Sequence, residues 1–70
     1  MNDQLLNYEL ELYRNRMTST GRIWLSRVIY PETSTPWITY RTDSTGRPSD
    51  CYAYTEQQAG MALQDYLTRE

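Results

Sequence analysis

Apolar and polar side chains alternate along the first part of the chain, between residues 6 and 13. The apolar set is Leu6, Tyr8, Leu10 and Leu12, and the polar set is Asn7, Glu9 and Glu11. A period of two residues is typical of a β-strand with one buried face. We therefore predict a first strand over residues 6–13. The segment "NRMTSTG" follows as a turn in which Gly21 can adopt a positive φ.

Three further strands are predicted from runs rich in β-branched and aromatic residues. These runs are residues 22–30 (RIWLSRVIY), residues 37–42 (WITYRT) and residues 51–55 (CYAYT). Pro31 and Pro36 bound a loop between the first two runs, because proline cannot donate to a central strand ladder. The polar segment 43–50 (DSTGRPSD) is predicted to be another turn.

After Thr55 the pattern changes to the period of a helix. Thr55 and Gln58 have the spacing of a capping box, in which each residue satisfies a free backbone N–H of the other. One apolar helical face is formed by Ala59, Ala62, Leu63, Tyr66 and Leu67. The chain is thus predicted to be a single α+β domain over residues 1–70. Its architecture is a four-stranded antiparallel meander sheet with one C-terminal helix packed on one face (ββββα).

The tetrapeptide Ser-Thr-Gly-Arg occurs twice, at residues 19–22 and 44–47. In a meander the first and third turns lie at the same end of the sheet, so the two copies should be neighbours. Five arginines are expected at this end: Arg14, Arg16, Arg22, Arg41 and Arg47. We predict that they bind a partner, either phosphate or an acidic protein surface. The alternative is ordinary turn chemistry, with Asp65 and Glu70 neutralising some of the arginines.

The sheet is predicted to have two apolar faces, because strand 22–30 has almost no polar face. A single helix can cover only one of them. The small residues Cys51 and Ala53 favour the helix side, which assigns Tyr52 and Tyr54 to the uncovered side. Together with Trp37, these tyrosines complete the predicted partner-binding set, since aromatic residues and arginine are enriched at protein interfaces.

The composition argues against catalysis. The chain has seven arginines, no lysine, no histidine, one cysteine and a net charge of −2. Histidine is the commonest general acid or base, and Cys51 has no histidine or lysine to activate it, so Cys51 is predicted to be a small buried residue. Clustered ligands for a structural metal are also missing from the sequence. We expect no enzyme activity, no catalytic residues, no cofactor and no metal site.

A membrane location is not expected either. No apolar run approaches the roughly 20 residues of a membrane span, and the N-terminus lacks the basic and then apolar pattern of a signal peptide. The predicted location is the cytoplasm.

We predict a small non-enzymatic binding protein that acts through protein–protein interaction. In size and layout over the whole chain, it is similar to inhibitor proteins encoded by phages and mobile elements, including the anti-CRISPR proteins. This resemblance implies a host protein as the target, whose functional surface is occluded. One alternative is a nucleic-acid-binding module or small regulator that uses the arginines and aromatic residues of the sheet. The other is a structural homodimer whose sheets pack face to face.

Overall fold

The computed structural model describes residues 8–70, in which four strands form one antiparallel sheet in the order β1-β2-β3-β4. The strands are β1 (Glu9–Thr18), β2 (Gly21–Tyr30), β3 (Trp37–Thr42) and β4 (Pro48–Tyr54). A short 3₁₀ turn (Glu56–Gln58) leads into the helix α1 (Ala59–Thr68), which packs on β2, β3 and β4. The predicted ββββα fold and meander order are confirmed. Leu6 and Asn7 of the predicted first strand lie outside the described residues.

The first hairpin is longer than its sequence pattern predicts. β1 continues to Thr18, which pairs with Gly21, so only Ser19 and Thr20 connect the two strands. Residues 15–18, which we predicted as part of the turn, are therefore strand residues. These four residues contain only one apolar side chain, Met17, and so give no alternating signal, but pairing with the apolar strand β2 holds them extended.

A bulge at Tyr13 resets the alternation of β1. Leu12 pairs with Ser26 and Arg14 pairs with Leu25, so Tyr13 is an extra residue between two consecutive partners. As a result, Glu11 and Arg14 project from the same face of the sheet, although an unbroken strand would place them on opposite faces.

The helix covers one face of the sheet through a small apolar core. Ile23 and Leu25 of β2 are buried against Ala62 and Tyr66 of α1. Further packing comes from Trp37, Tyr54 and Leu63. Ala62 is completely buried, as expected for a small residue where the helix approaches the sheet closely. Burial of each large side chain contributes about 1.5–3 kcal/mol to stability.

The opposite face, called the helix-free face below, carries a second core cluster. Its buried members are Val28, Ile38 and Tyr40, and Leu10 and Trp24 pack against them. The rings of Trp24 and Tyr40 are stacked, with their centroids 6.2 Å apart. No other described helix or strand packs on this face.

The prediction of which β4 side chains face the helix is wrong. Tyr52 pairs with Thr39, which is on the covered face, and Tyr54 packs into the core under the helix. Cys51 and Ala53 lie on the helix-free face, and Cys51 is exposed rather than buried. The tyrosines face α1 because their rings supply contact area and because the Tyr54 hydroxyl donates a hydrogen bond to Asp65 of α1 (2.8 Å).

The predicted capping box is present, but it opens the 3₁₀ turn Glu56–Gln58, and α1 follows from Ala59. Gln58 Oε1 accepts a hydrogen bond from the Thr55 backbone N–H (3.0 Å), as the capping box requires. Along the described part of the chain, no helix is long and apolar enough to cross a membrane.

Candidate protein-binding surface

The two Ser-Thr-Gly-Arg turns lie side by side, as the meander predicts. They form the walls of a cleft of about 580 Å³, called the turn cleft below. It is lined by residues 17–22, Trp24, residues 42–44 and Gly46. The duplicated motif therefore contributes to one surface.

The polar residues of both turns mainly hold their own loops in shape. In the third turn, Asp43 Oδ1 accepts hydrogen bonds from the Thr45 N–H (2.9 Å), the Thr45 hydroxyl (2.6 Å) and the Arg47 N–H (3.0 Å). These bonds lower the pKa of Asp43, and the bond from the Thr45 hydroxyl has the largest effect. In the first turn, the Thr18 hydroxyl donates to Gly21 O (2.8 Å). Turn chemistry thus accounts for Thr45 in the second copy of the tetrapeptide and for Thr18 beside the first.

Two of the predicted partner-binding arginines are engaged with the last turn of α1 and the two residues that follow it. Arg16 donates to the backbone carbonyls of Tyr66 (2.7 Å) and Arg69. Arg41 donates to the Glu70 carbonyl (2.5 Å) and to the Asp50 carboxylate (2.8 Å). The last carbonyls of a helix lack partners within it and carry partial negative charge, so arginine stabilises them. Arg16 therefore holds the end of α1 on the sheet, and Arg41 holds the residue that ends the chain segment after it.

The remaining arginines of the predicted set lie in two different places. Arg14 is exposed in the middle of β1, on the covered face and away from the turn cleft. Arg22 lines the cleft and donates to Asn15 Oδ1 (2.5 Å), and Arg47 is exposed in the third turn. Of the five predicted arginines, Arg22 and Arg47 thus remain as candidates for binding a partner at the end of the sheet that carries the two turns.

The predicted aromatic residues are also distributed over the covered face. Trp37 donates its indole N–H to Glu56 Oε1 (2.9 Å), and its ring contacts the Tyr13 ring edge-on at 4.9 Å. Tyr52 lies under the guanidinium of Arg69, 5.0 Å from its ring centroid. Of these aromatic residues, Tyr52 is the most exposed. The structure does not bring Trp37, Tyr52 and Tyr54 together with the turn cleft.

Sequence reasoning missed a polar network centred on Asp65. Its carboxylate accepts hydrogen bonds from the Thr39 hydroxyl (2.6 Å), the Tyr54 hydroxyl (2.8 Å) and Arg69 Nε (3.1 Å). Arg69 continues the network to the backbone carbonyl of Asp50 (2.7 Å). The signal in the sequence was the spacing of Asp65 and Arg69, four residues apart near the end of a helix.

The Asp65 network makes stability depend on pH. Burial alone raises the pKa of Asp65, but the hydrogen bonds from Thr39, Tyr54 and Arg69 and the charge of Arg69 together outweigh it, so the pKa lies below its ordinary value of 3.8. A carboxyl group whose pKa is lowered by folding stabilises the folded state above the unfolded pKa, and this contribution is lost as the pH falls through the folded pKa.

We therefore expect the free energy of unfolding of the wild type to decrease as the pH falls below 3.8. The Asp65→Asn variant should show a shallower decrease over the same range, because its side chain does not titrate. Urea unfolding at several pH values between 7 and 2 measures both slopes. Parallel pH profiles for the two proteins would contradict this role of Asp65.

Cys51 does not have the setting of a reactive thiol. Desolvation raises its pKa, and the charge of Arg69 only partly opposes this effect. Reactive cysteines instead have lowered pKa values. Among residues 8–70, His, Cys, Asp and Glu side chains form no group of three or more that could hold a metal ion.

The helix-free face carries a shallow groove of about 210 Å³ that continues into the turn cleft. It is lined by Leu10, Leu12, Trp24, Tyr40, Thr42, Gly46 and Pro48. The groove and the cleft share Trp24, Thr42 and Gly46. None of the groove residues is charged, and the cleft adds only Arg22 and Asp43. Together the two depressions are called the binding surface below.

Large apolar side chains at the margin of the binding surface are exposed to solvent. Met17 is 63% exposed at the turn cleft, and Leu12 is 58% exposed at the groove. Both belong to β1 and lie on the helix-free face. Sequence reasoning placed the partner-binding aromatic residues on this face, but the two exposed residues at the margin of the binding surface are aliphatic.

Comparison of the chain with protein-family models, with curated proteins and with solved structures finds no match.

Proposed function

We propose that this protein is a small, non-enzymatic binding protein that acts through protein–protein interaction. The observation that supports the proposal is the binding surface, an uncharged groove that runs into the turn cleft. Exposed Leu12 and Met17 border it, and no described helix packs on this face. Apolar surface of this kind, rimmed by polar turns, is typical of a protein interaction site.

The chemistry of the surface favours a protein partner that presents an apolar side chain beside carboxylates. The groove would accept the apolar group. Arg22 and Arg47 lie at or near the turn cleft, and arginine pairs well with carboxylates. The Asp43 carboxylate oxygen Oδ1 already accepts three hydrogen bonds within its own turn. These bonds reduce the repulsion between Asp43 and an acidic partner.

A nucleic-acid partner is less favoured because most of the arginines are already engaged. Arg16 binds the Tyr66 carbonyl of α1, Arg41 binds the Glu70 carbonyl beyond it, Arg27 forms an ion pair with Glu56, and Arg69 forms one with Asp65. A sheet that grips a phosphate backbone needs free basic side chains along its path.

The biological role that we propose is that of a cytoplasmic inhibitor, which covers the functional surface of a host protein in the manner of anti-CRISPR proteins. A domain of 70 residues suits this role because occlusion needs only a stable scaffold and one complementary surface.

Met17→Asp is expected to weaken binding to a protein partner about tenfold or more, because a charge replaces an apolar group that the partner desolvates. The matched control is Met61→Asp on α1, since Met61 is exposed to a similar degree, 57% against 63%. A partner captured from host lysate by the wild-type protein is purified, and its affinity for each variant is measured by calorimetry.

Met61→Asp should bind within about twofold of the wild type. Equal affinities of the two variants would contradict the location of the binding surface. Recovery of nucleic acid in place of a protein, with binding that weakens steeply as salt increases, would contradict the class of partner.

A further inference from the structure

The two edges of the sheet differ in their capacity to accept another strand. The edge formed by β4 is obstructed: Pro48 has no N–H to donate, Asp50 has a φ of 53°, and the Asp50 carbonyl already accepts a hydrogen bond from Arg69. β1 forms the other edge, is ten residues long and contains no proline. Within residues 8–70, no strand pairs with the outer side of β1. Its outward N–H and C=O groups are therefore a template for a further strand.

The charges of β1 are arranged symmetrically about its centre. Glu9 and Glu11 precede Leu12 and Tyr13, and Arg14 and Arg16 follow them. When such a strand pairs with a copy of itself in the antiparallel direction, the acidic half of each copy faces the basic half of the other. A parallel pairing would instead place like charges beside each other, which is destabilising.

The bulge at Tyr13 makes this pairing geometrically consistent. Residues directly opposite each other in an antiparallel pair project from the same face of the sheet. Glu11 and Arg14 share a face only because Tyr13 is an extra residue. Both residues are exposed, and within residues 8–70 Arg14 forms no ion pair or side-chain hydrogen bond.

We infer that β1 pairs with β1 of a second copy of this chain, antiparallel, about a two-fold axis between Leu12 and Tyr13. Glu11 then lies opposite Arg14 of the second copy, and the reverse pair forms on the other side of the axis. Leu12 and Tyr13, which are 58% and 50% exposed, lie beside the axis on opposite faces, Leu12 on the helix-free face and Tyr13 against Trp37 on the covered face. The backbone ladder and the two Glu11–Arg14 charge pairs therefore join the two copies.

This dimer differs from one in which the sheets pack face to face. Antiparallel edge pairing joins the two four-stranded sheets into one eight-stranded sheet. Both α1 helices lie on one side of it, and both helix-free faces lie on the other. The inference does not depend on the proposed function, because it is argued from the free edge and the charges of β1, although Leu12 belongs to both surfaces.

The test exchanges the charges of the central pair. In Glu11→Arg both central positions of β1 are basic, and in Arg14→Glu both are acidic. Each variant alone should dimerise about tenfold more weakly than the wild type or not at all, because both central pairs become repulsive. An equimolar mixture should form a heterodimer, because every basic position then faces an acidic one. Sedimentation velocity over a range of protein concentrations, at low salt, measures all three samples.

Arg47→Glu is the matched control, since it reverses an exposed arginine outside β1 and should dimerise like the wild type. Circular dichroism of each variant verifies that it is folded. The inference is supported if the mixture dimerises while neither variant does so by itself. A variant that had merely lost its fold could not be rescued by mixing it with the other variant. A wild type that is monomeric at high micromolar concentration, single variants that dimerise like the wild type, or a mixture that stays monomeric would each overturn it.

Discussion

Replacing Asp65 with alanine is expected to lower the free energy of unfolding by about 2–4 kcal/mol, because it removes the acceptor of several hydrogen bonds at once. Thr39, Tyr54 and Arg69 all donate to this carboxylate. The Thr39 side chain is completely buried and keeps only its contact with Arg69 when the carboxylate is lost. The Arg69 side chain, 8% exposed, loses its counter-charge and remains largely desolvated.

A loss of this size is severe for a small domain. Stability of roughly 0.05–0.15 kcal/mol per residue is typical, so the variant would lose a large fraction of the total. Asp65→Asn should fall between the wild type and Asp65→Ala, since the amide oxygen can still accept a hydrogen bond but carries no charge. Gln64→Ala is the control, as Gln64 is exposed on the same helix. Urea unfolding measures all four proteins, and equal losses for Gln64→Ala and Asp65→Ala would contradict the importance of the network.

The order of the elements could be predicted because it follows from local patterns. Alternation in β1, the apolar run of β2, the prolines around the second loop and the capping box at Thr55 are each encoded within a few residues. The adjacency of the two Ser-Thr-Gly-Arg turns followed from the meander alone. These features need no knowledge of which side chains meet across the sheet.

The facing of the strands could not be predicted because it depends on long-range contacts. In β4, either Cys51 and Ala53 or Tyr52 and Tyr54 could face the helix. We predicted Cys51 and Ala53 only because they are small. The facing observed lets Tyr54 pack under the helix and donate its hydroxyl to Asp65, 11 residues further along the chain. The bulge at Tyr13 likewise results from the register of β1 against β2, which the sequence of β1 does not reveal.

The candidate site could be predicted only in part, because it too depends on long-range contacts. The sequence placed arginines near one end of the sheet but could not show that the carbonyls at the end of α1 and just after it arrive there as well. Arg16 and Arg41 bind these carbonyls, which leaves Arg22 and Arg47 at the turn end. The groove on the helix-free face joins residues of all four strands or their turns, so no single segment carries its pattern.

Gly21→Ala is expected to destabilise the protein by about 2–4 kcal/mol, although the same tetrapeptide occurs at the third turn. Gly21 has a φ of 139°, a backbone conformation that residues with a Cβ rarely adopt. A Cβ built on this residue would lie 2.5 Å from the Thr42 carbonyl oxygen, which is backbone and is held by the β2–β3 pairing. The substitution therefore combines backbone strain with a steric clash that a side-chain rotation cannot relieve.

The other two glycines provide graded controls for this substitution. Gly46 also has a positive φ, 84°, but a Cβ there would meet nothing within 4 Å, so Gly46→Ala should cost only about 1 kcal/mol. Gly60 lies in α1 beside open space, and Gly60→Ala should stabilise the helix by up to about 1 kcal/mol. Thermal and urea unfolding of the three variants measures the order. Equal losses at Gly21 and Gly46 would mean that the approach of Thr42 adds nothing, and that the two copies of the motif have the same structural role.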